Sequence, residues 1–132
     1  MKFLSVLGTG LVLAVSACTD SAAPDQGALF RVTVSGESFS VSILDEAVIS
    51  EAERRMREQD GAGIVIGTLV RGDGGFNMPW SWHILPNTVQ VADFTIALCD
   101  GRPSMVEADL DYWVDTVKQF CPWGGRLVER KR

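Results

Sequence analysis

Apolar and polar residues alternate from the start of the polar-rich region onward. Phe30, Val32 and Val34 alternate with polar residues, and so do Phe39, Val41 and Ile43. A two-residue period predicts half-buried strands, with Gly36-Glu37 as the turn between them. Asp45 stands where an N-cap belongs, and Ile49, Ala52 and Met56 follow at helical spacing. Glu51–Arg55 and Glu53–Arg57 are i,i+4 pairs in the favourable order, each worth about 0.2–0.5 kcal/mol. An amphipathic helix is therefore predicted over 45–59, ended by Gly61 and Gly63.

Residues 63–70 carry the continuous apolar run Ile64, Val65, Ile66, Leu69 and Val70, which fits a strand buried on both faces. Arg71-Gly72-Asp73-Gly74-Gly75 reads as a loop. Trp80, Trp82 and Ile84 alternate with Ser81, His83 and Leu85, predicting another strand, and Pro86-Asn87 turns the chain. Val89 and Val91, then Phe94, Ile96 and Leu98, predict one more strand with a bulge near Asp93. Ser104 and Glu107 match a capping box behind Pro103. Val106, Leu110, Trp113, Val117 and Phe120 then mark one face of a second helix, which Pro122 stops. Arg126-Leu127-Val128 reads as a short last strand. The expected fold is α+β: a small antiparallel sheet of roughly five strands packed with two helices, in a single domain over 29–132.

The first 28 residues follow a different pattern. Lys2 supplies one positive charge, Phe3 to Val15 is apolar, and Val15-Ser16-Ala17-Cys18 follows. A short cationic start, an apolar stretch of roughly 7–15 residues and small residues before a cut describe an export signal. The stretch is shorter than the about 20 residues a bilayer span needs. Its last four residues resemble a bacterial lipobox. That resemblance implies a signal peptide over 1–17, cleavage before Cys18, a lipid on the Cys18 sulfur and an acylated new N-terminus, with chains such as palmitate. Several acyl chains together hold a protein on a membrane where one would not. Residues 18–28 hold the lipidated Cys and a flexible tether of small and polar residues. Thr19, not an Asp, directly follows Cys18, which favours the outer over the inner membrane in a diderm host.

Composition narrows the field. The 132 residues are 46% hydrophobic and 22% charged, too apolar for a disordered chain and enough for one domain. With 12 Lys and Arg against 17 Asp and Glu, the net charge is -5, which argues against a nucleic-acid partner. Of three Cys, Cys18 is assigned to lipid, leaving Cys99 and Cys121 to pair as a disulfide in an oxidising compartment. Closing that loop is worth roughly 3.4 kcal/mol by chain entropy. The rival arrangement, a metal held by Cys99, Cys121 and His83, lacks the close-spaced ligand pairs that zinc sites use. No metal and no cofactor is expected, since the P-loop, G-x-G-x-x-G and H-E-x-x-H motifs are all missing.

Residues able to carry chemistry are few. His83 is the only His; catalysis would need a nucleophile and an orienting acid such as Asp100 or Asp73. Arg71-Gly72-Asp73 matches the integrin tripeptide but sits in a turn-rich loop. Glu107, Asp111 and Asp115 form an i,i+4,i+8 acidic row, expected as a solvated face, with a cation- or partner-binding stripe as the sharper reading. The tail Arg130-Lys131-Arg132 is placed to touch anionic headgroups or simply to fray. Trp113 belongs to the helix core, while Trp80, Trp82 and Trp123 flank loops or strand ends, where aromatic residues serve as contact hot spots.

Asn77-Met78-Pro79-Trp80-Ser81-Trp82-His83-Ile84-Leu85-Pro86, followed by Cys99-Asp100 and Cys121-Pro122-Trp123, resembles a family of small exported domains of bacteria and some amoeboid eukaryotes. The resemblance covers about residues 29–128. One departure is Ala97-Leu98, which stands before Cys99 where an acidic residue is usual. It implies the domain and the disulfide rather than an activity. The function expected is thus a membrane-anchored extracytoplasmic lipoprotein whose small domain binds a ligand or an envelope protein. The contact surface expected is Trp80, Trp82, His83, Asp100 and Trp123. The alternative is a small hydrolase-like enzyme using His83 with a nearby Asp.

Overall fold

The computed structural model describes residues 27–132. The signal segment, Cys18 and residues 19–26 of the tether lie outside the described residues.

Strands β1 (Ala28–Val34) and β2 (Glu37–Ile43) form the expected hairpin, in register from Ala28↔Ile43 to Val34↔Glu37. The turn is Ser35-Gly36, both with positive φ (52° and 79°), one residue earlier than predicted. Two left-handed central residues match the right-handed twist of paired strands. Helix α1 runs Glu46–Glu58, and Asp45 caps it by accepting from the N–H groups of Ala47 and Val48. Val48, Ile49, Ala52 and Arg55 are its buried residues. At its end, a Cβ on Gly61 (φ +76°) would collide with the carbonyl of Leu127, so only glycine allows this close approach.

The long strand β3 (Ile64–Arg71) is shared by three short partners. Its start pairs with β5 (Gln90–Ala92), its middle with β6 (Gln119–Phe120) and its end with β4 (Trp82–Ile84), all antiparallel. The last strand, β7 (Arg126–Lys131), is longer than predicted and pairs antiparallel with β1. The first sheet is thus ordered β2-β1-β7, and the second has β3 at its centre. Among the described residues this is an α+β domain with seven strands, against the roughly five expected. Its core joins Phe30, Val32, Phe39, Val41, Ile43, Trp82, Phe120 and Leu127. Phe39 and Trp82 each approach the Phe120 ring edge-on at 5.3 Å. The buried hydrophobic residues of this core run from Ala28 to Leu127, so residues 27–132 carry a packing core of their own.

The second helix departs from its pattern. Helix α2 covers only Pro103–Ala108. Asp109 breaks it (φ -146°, ψ 66°). The Asp109 carboxylate accepts from the Tyr112 N–H, and its carbonyl from Trp113. An Asp competes for backbone donors and restarts the chain as a cap does. The segment resumes as a π-helical turn, Tyr112–Val117, closed by Lys118 in the left-handed conformation. Phe120, predicted on the helix, lies in β6 instead, because its backbone is drawn onto β3. The predicted capping box does not form. The Ser104 N–H and hydroxyl both donate to the Glu37 carboxylate from β2. Glu53, predicted to pair with Arg57, binds Arg130 of β7.

Candidate functional site

The segment 77–83 is built as a clip. Asn77 is buried; its side-chain oxygen accepts from the Ser40 N–H at 2.7 Å and its NH₂ donates to the Trp82 carbonyl at 2.7 Å. One amide thereby ties β2 to β4 and satisfies two backbone groups that burial would otherwise leave unpaired. Trp80 is half-buried, stacks on Trp82 and donates its indole N–H to the Ser38 carbonyl. Ser81 donates its N–H and its hydroxyl to the Glu107 carboxylate at 2.9 and 2.8 Å.

Trp82 is 0% exposed, and its indole nitrogen has no hydrogen-bond partner. This corrects the expectation that Trp82 lines a contact surface: alternation in β4 turns it inward, onto Phe39 and Phe120. His83 points to the other face. Its Nδ1 lies 2.7 Å from the Gly72 carbonyl, and its ring meets Phe76 edge-on.

The Arg-Gly-Asp loop is consumed in the same way. Arg71 holds Asp115 through two bonds of 3.0 and 2.8 Å and Asp111 through one of 2.6 Å. Its hydrogen bonds to Asp115 and Asp111 push the guanidinium pKa above its usual value, and the same contact lowers that of Asp115. Asp111 and Asp115 of the acidic row are exposed, as expected of a solvated face, but they are not unpartnered. Arg71 neutralises two of its members, and the third, Glu107, holds Ser81. Asp73 folds back on its own loop, accepting from the Gly75 N–H. Asp100 accepts from the Trp123 N–H. The two acids named as partners for His83 thus each hold a backbone N–H. Among the described residues, no three His, Cys, Asp or Glu side chains gather into a set able to hold a metal ion.

Asp100 and Trp123 belong to a second cluster. Cys99 and Cys121 form a disulfide with Cα atoms 5.1 Å apart, and the Cys121 N–H donates to the Cys99 carbonyl. The indole N–H of Trp123 donates to the Thr95 hydroxyl. Above this cystine run residues 93–98, predicted to continue a strand. The strand ends at Ala92 instead. Asp93 turns to the Arg55 guanidinium at 2.9 Å, and Ala97–Cys99 form a single 3₁₀ turn.

The alternation persists, yet Phe94, Ile96 and Leu98 are 87%, 63% and 59% exposed, beside Trp123 at 47%. These three side chains escaped the contact set read from sequence. Their periodicity points to a strand, and the ion pair of Asp93 and the 3₁₀ turn that end it are not visible in the local pattern.

The predicted surface therefore separates. Trp80, Trp82 and His83 serve the clip, while Asp100 and Trp123 support an exposed apolar loop. The architecture is that of a small cystine-linked α+β domain organised around the N-x-P-W-S-W-H clip. The chain belongs to the BP-74 N-terminal domain family, whose model matches residues 26–132. No curated protein and no solved structure matches it.

Proposed function

We propose that the chain is an exported lipoprotein, cleaved before Cys18, lipidated on Cys18 and held at the cell envelope, in the outer membrane of a diderm host. Its domain is a binding module that captures a protein partner through Phe94, Ile96 and Leu98, with Trp123 at the edge. The observation that carries this reading is the exposure of three large apolar side chains on one short loop. Burying each against a partner is worth about 1.5–3 kcal/mol, and contiguous exposed apolar patches mark interaction sites.

Position favours a protein over the anchoring bilayer. The tether enters at Gly27, at the start of β1. The Trp123 turn packs at the other end of β1, where Gly124 and Gly125 lie against Val34 and Val32. Seven residues of strand separate those ends by about 20 Å, and Trp123 bonds Thr95, so the loop lies near the end of β1 distant from Gly27.

The test combines palmitate labelling with a photo-crosslinker placed at Phe94 or, as a comparison, at exposed Arg57 on α1. The expected result is label that disappears with Cys18→Ala, and a discrete saturable adduct from position 94 alone. That adduct is lost on Ile96→Asp/Leu98→Asp. Label retained by Cys18→Ala overturns the anchor. Identical adducts from both positions overturn the surface.

A further inference from the structure

At the tether end of the domain lies a cleft of about 520 Å³, a size common among small-ligand sites. Three elements meet there: the start of β1, the end of β2 and the end of β7. The Gly-rich loop forms the facing wall. Leu29, Leu44, Phe76 and Pro86 give the lining its apolar surface. Arg130, Lys131 and Arg132 also line it, Lys131 directly beside Leu29 across the β1–β7 ladder, and no acidic side chain is among the described lining residues. Arg130 is neutralised by Glu53, and Lys131 donates to the Ser40 hydroxyl. A lysine bonded to a neutral hydroxyl keeps its full charge, so Lys131 and Arg132 leave a positive rim in a chain of net charge -5. The wall at Gly74-Gly75 has positive φ at both residues (65° and 85°), and a Cβ on Gly74 would strike the His83 ring. The contact of His83 with Phe76 and Gly72 therefore braces this wall from behind.

We propose that the cleft binds a phosphate-bearing amphiphile: the phosphate on Lys131 and Arg132, the first part of its alkyl chain against Leu29, Leu44 and Phe76. Cationic and apolar side chains side by side in one cleft select a ligand with an anionic head and a hydrocarbon body. A free anion lacks the second feature and a neutral lipid the first. The source suggested by position is a headgroup of the anchoring leaflet, since Gly27, which lines the cleft, follows Cys18 by nine residues in sequence. That choice of source, unlike the cleft chemistry, rests on the anchor proposed above.

The experiment titrates the domain of residues 27–132 with n-decyl phosphate below its micelle concentration, with inorganic phosphate, and with phosphatidylglycerol–phosphatidylcholine or pure phosphatidylcholine vesicles. Amide shifts at Gly74, Gly75 and Phe76 serve as the readout. Saturable binding of decyl phosphate is expected, with inorganic phosphate weaker by about tenfold or more. Lys131→Glu/Arg132→Glu should weaken decyl phosphate about tenfold and Leu44→Ser about threefold, while Arg57→Glu changes it by no more than about twofold. Equal affinity for inorganic phosphate, no saturable binding of decyl phosphate, or equal weakening by Arg57→Glu overturns the proposal. Vesicle binding that depends on phosphatidylglycerol and on Lys131 and Arg132 identifies the headgroup as the source. Decyl phosphate binding without it overturns the headgroup source and leaves a free phosphorylated amphiphile as the ligand. Palmitate labelling of Cys18 is unaffected by any of these results, so the anchor and the cleft stand or fall separately.

Discussion

Residues 80–84 and 94–98 both alternate large apolar side chains with smaller or polar ones, and the fold disposes of them in opposite ways. In the first, Trp82 and Ile84 enter the core, because β4 pairs with β3 and its inward face meets Phe39 and Phe120. In the second no strand is formed. The cystine draws Cys99 in, Arg55 holds Asp93, and the apolar side chains are left outside. Period two establishes that a segment has two faces. Which face is buried is decided by what the backbone is fastened to. The first segment is fastened by packing and by the buried Asn77 amide, the second by a cystine and an ion pair.

That contrast can be broken in order of effect. Trp82→Ala should cost about 3–5 kcal/mol, as removal of a fully buried aromatic does, measured by denaturant unfolding. A cost under about 1 kcal/mol, the scale of an ordinary surface change, would remove Trp82 from the core.

Cys99→Ser/Cys121→Ser should cost roughly 3.4 kcal/mol. Hydrogen exchange should then rise first at 94–99 and 121–125, with 77–84 retaining protection; uniform loss of protection would mean that the two segments are fastened alike.

The smallest effect is electrostatic. Hydrogen bonds from Arg54 and Arg55 hold Glu51 at a pKa of about 2, down from 4.5. Its folded-state pKa is depressed, so its contribution is complete above 4.5 and is lost as pH falls toward 2. Glu51→Gln should flatten the acid limb of the stability curve over that window. An unchanged acid limb in Glu51→Gln would dissociate this network from stability.

Much of the scaffold was legible in the order of residues. The hairpin, helix α1 with its Asp45 cap, β3 and the cystine follow from local periodicity, capping chemistry and cysteine count. The second helix was legible only as far as Asp109, where a side chain that competes for backbone donors outweighed a regular apolar stripe. Residues marked as a site fared less evenly. Asn77, Trp80 and Trp82 are rare types in fixed order, but their partners Ser40, Ser38 and Phe120 are distant in the chain, and local pattern carries no information on such pairings. Arg71 and the acidic row are likewise joined across about forty residues. The cleft was invisible for the same reason, since Leu29, Leu44, Phe76 and Lys131 come from four separate parts of the chain.

The pairing of β1 with β7 has a consequence for synthesis. Leu29 lies opposite Lys131, and Phe30 opposite Arg130, so the first strand to emerge receives its second neighbour only after residue 131 has been made. Contacts between distant parts of a chain close late and slow folding. A chain that folds late stays threadable, the state that the export proposed above would need for passage through a translocation pore.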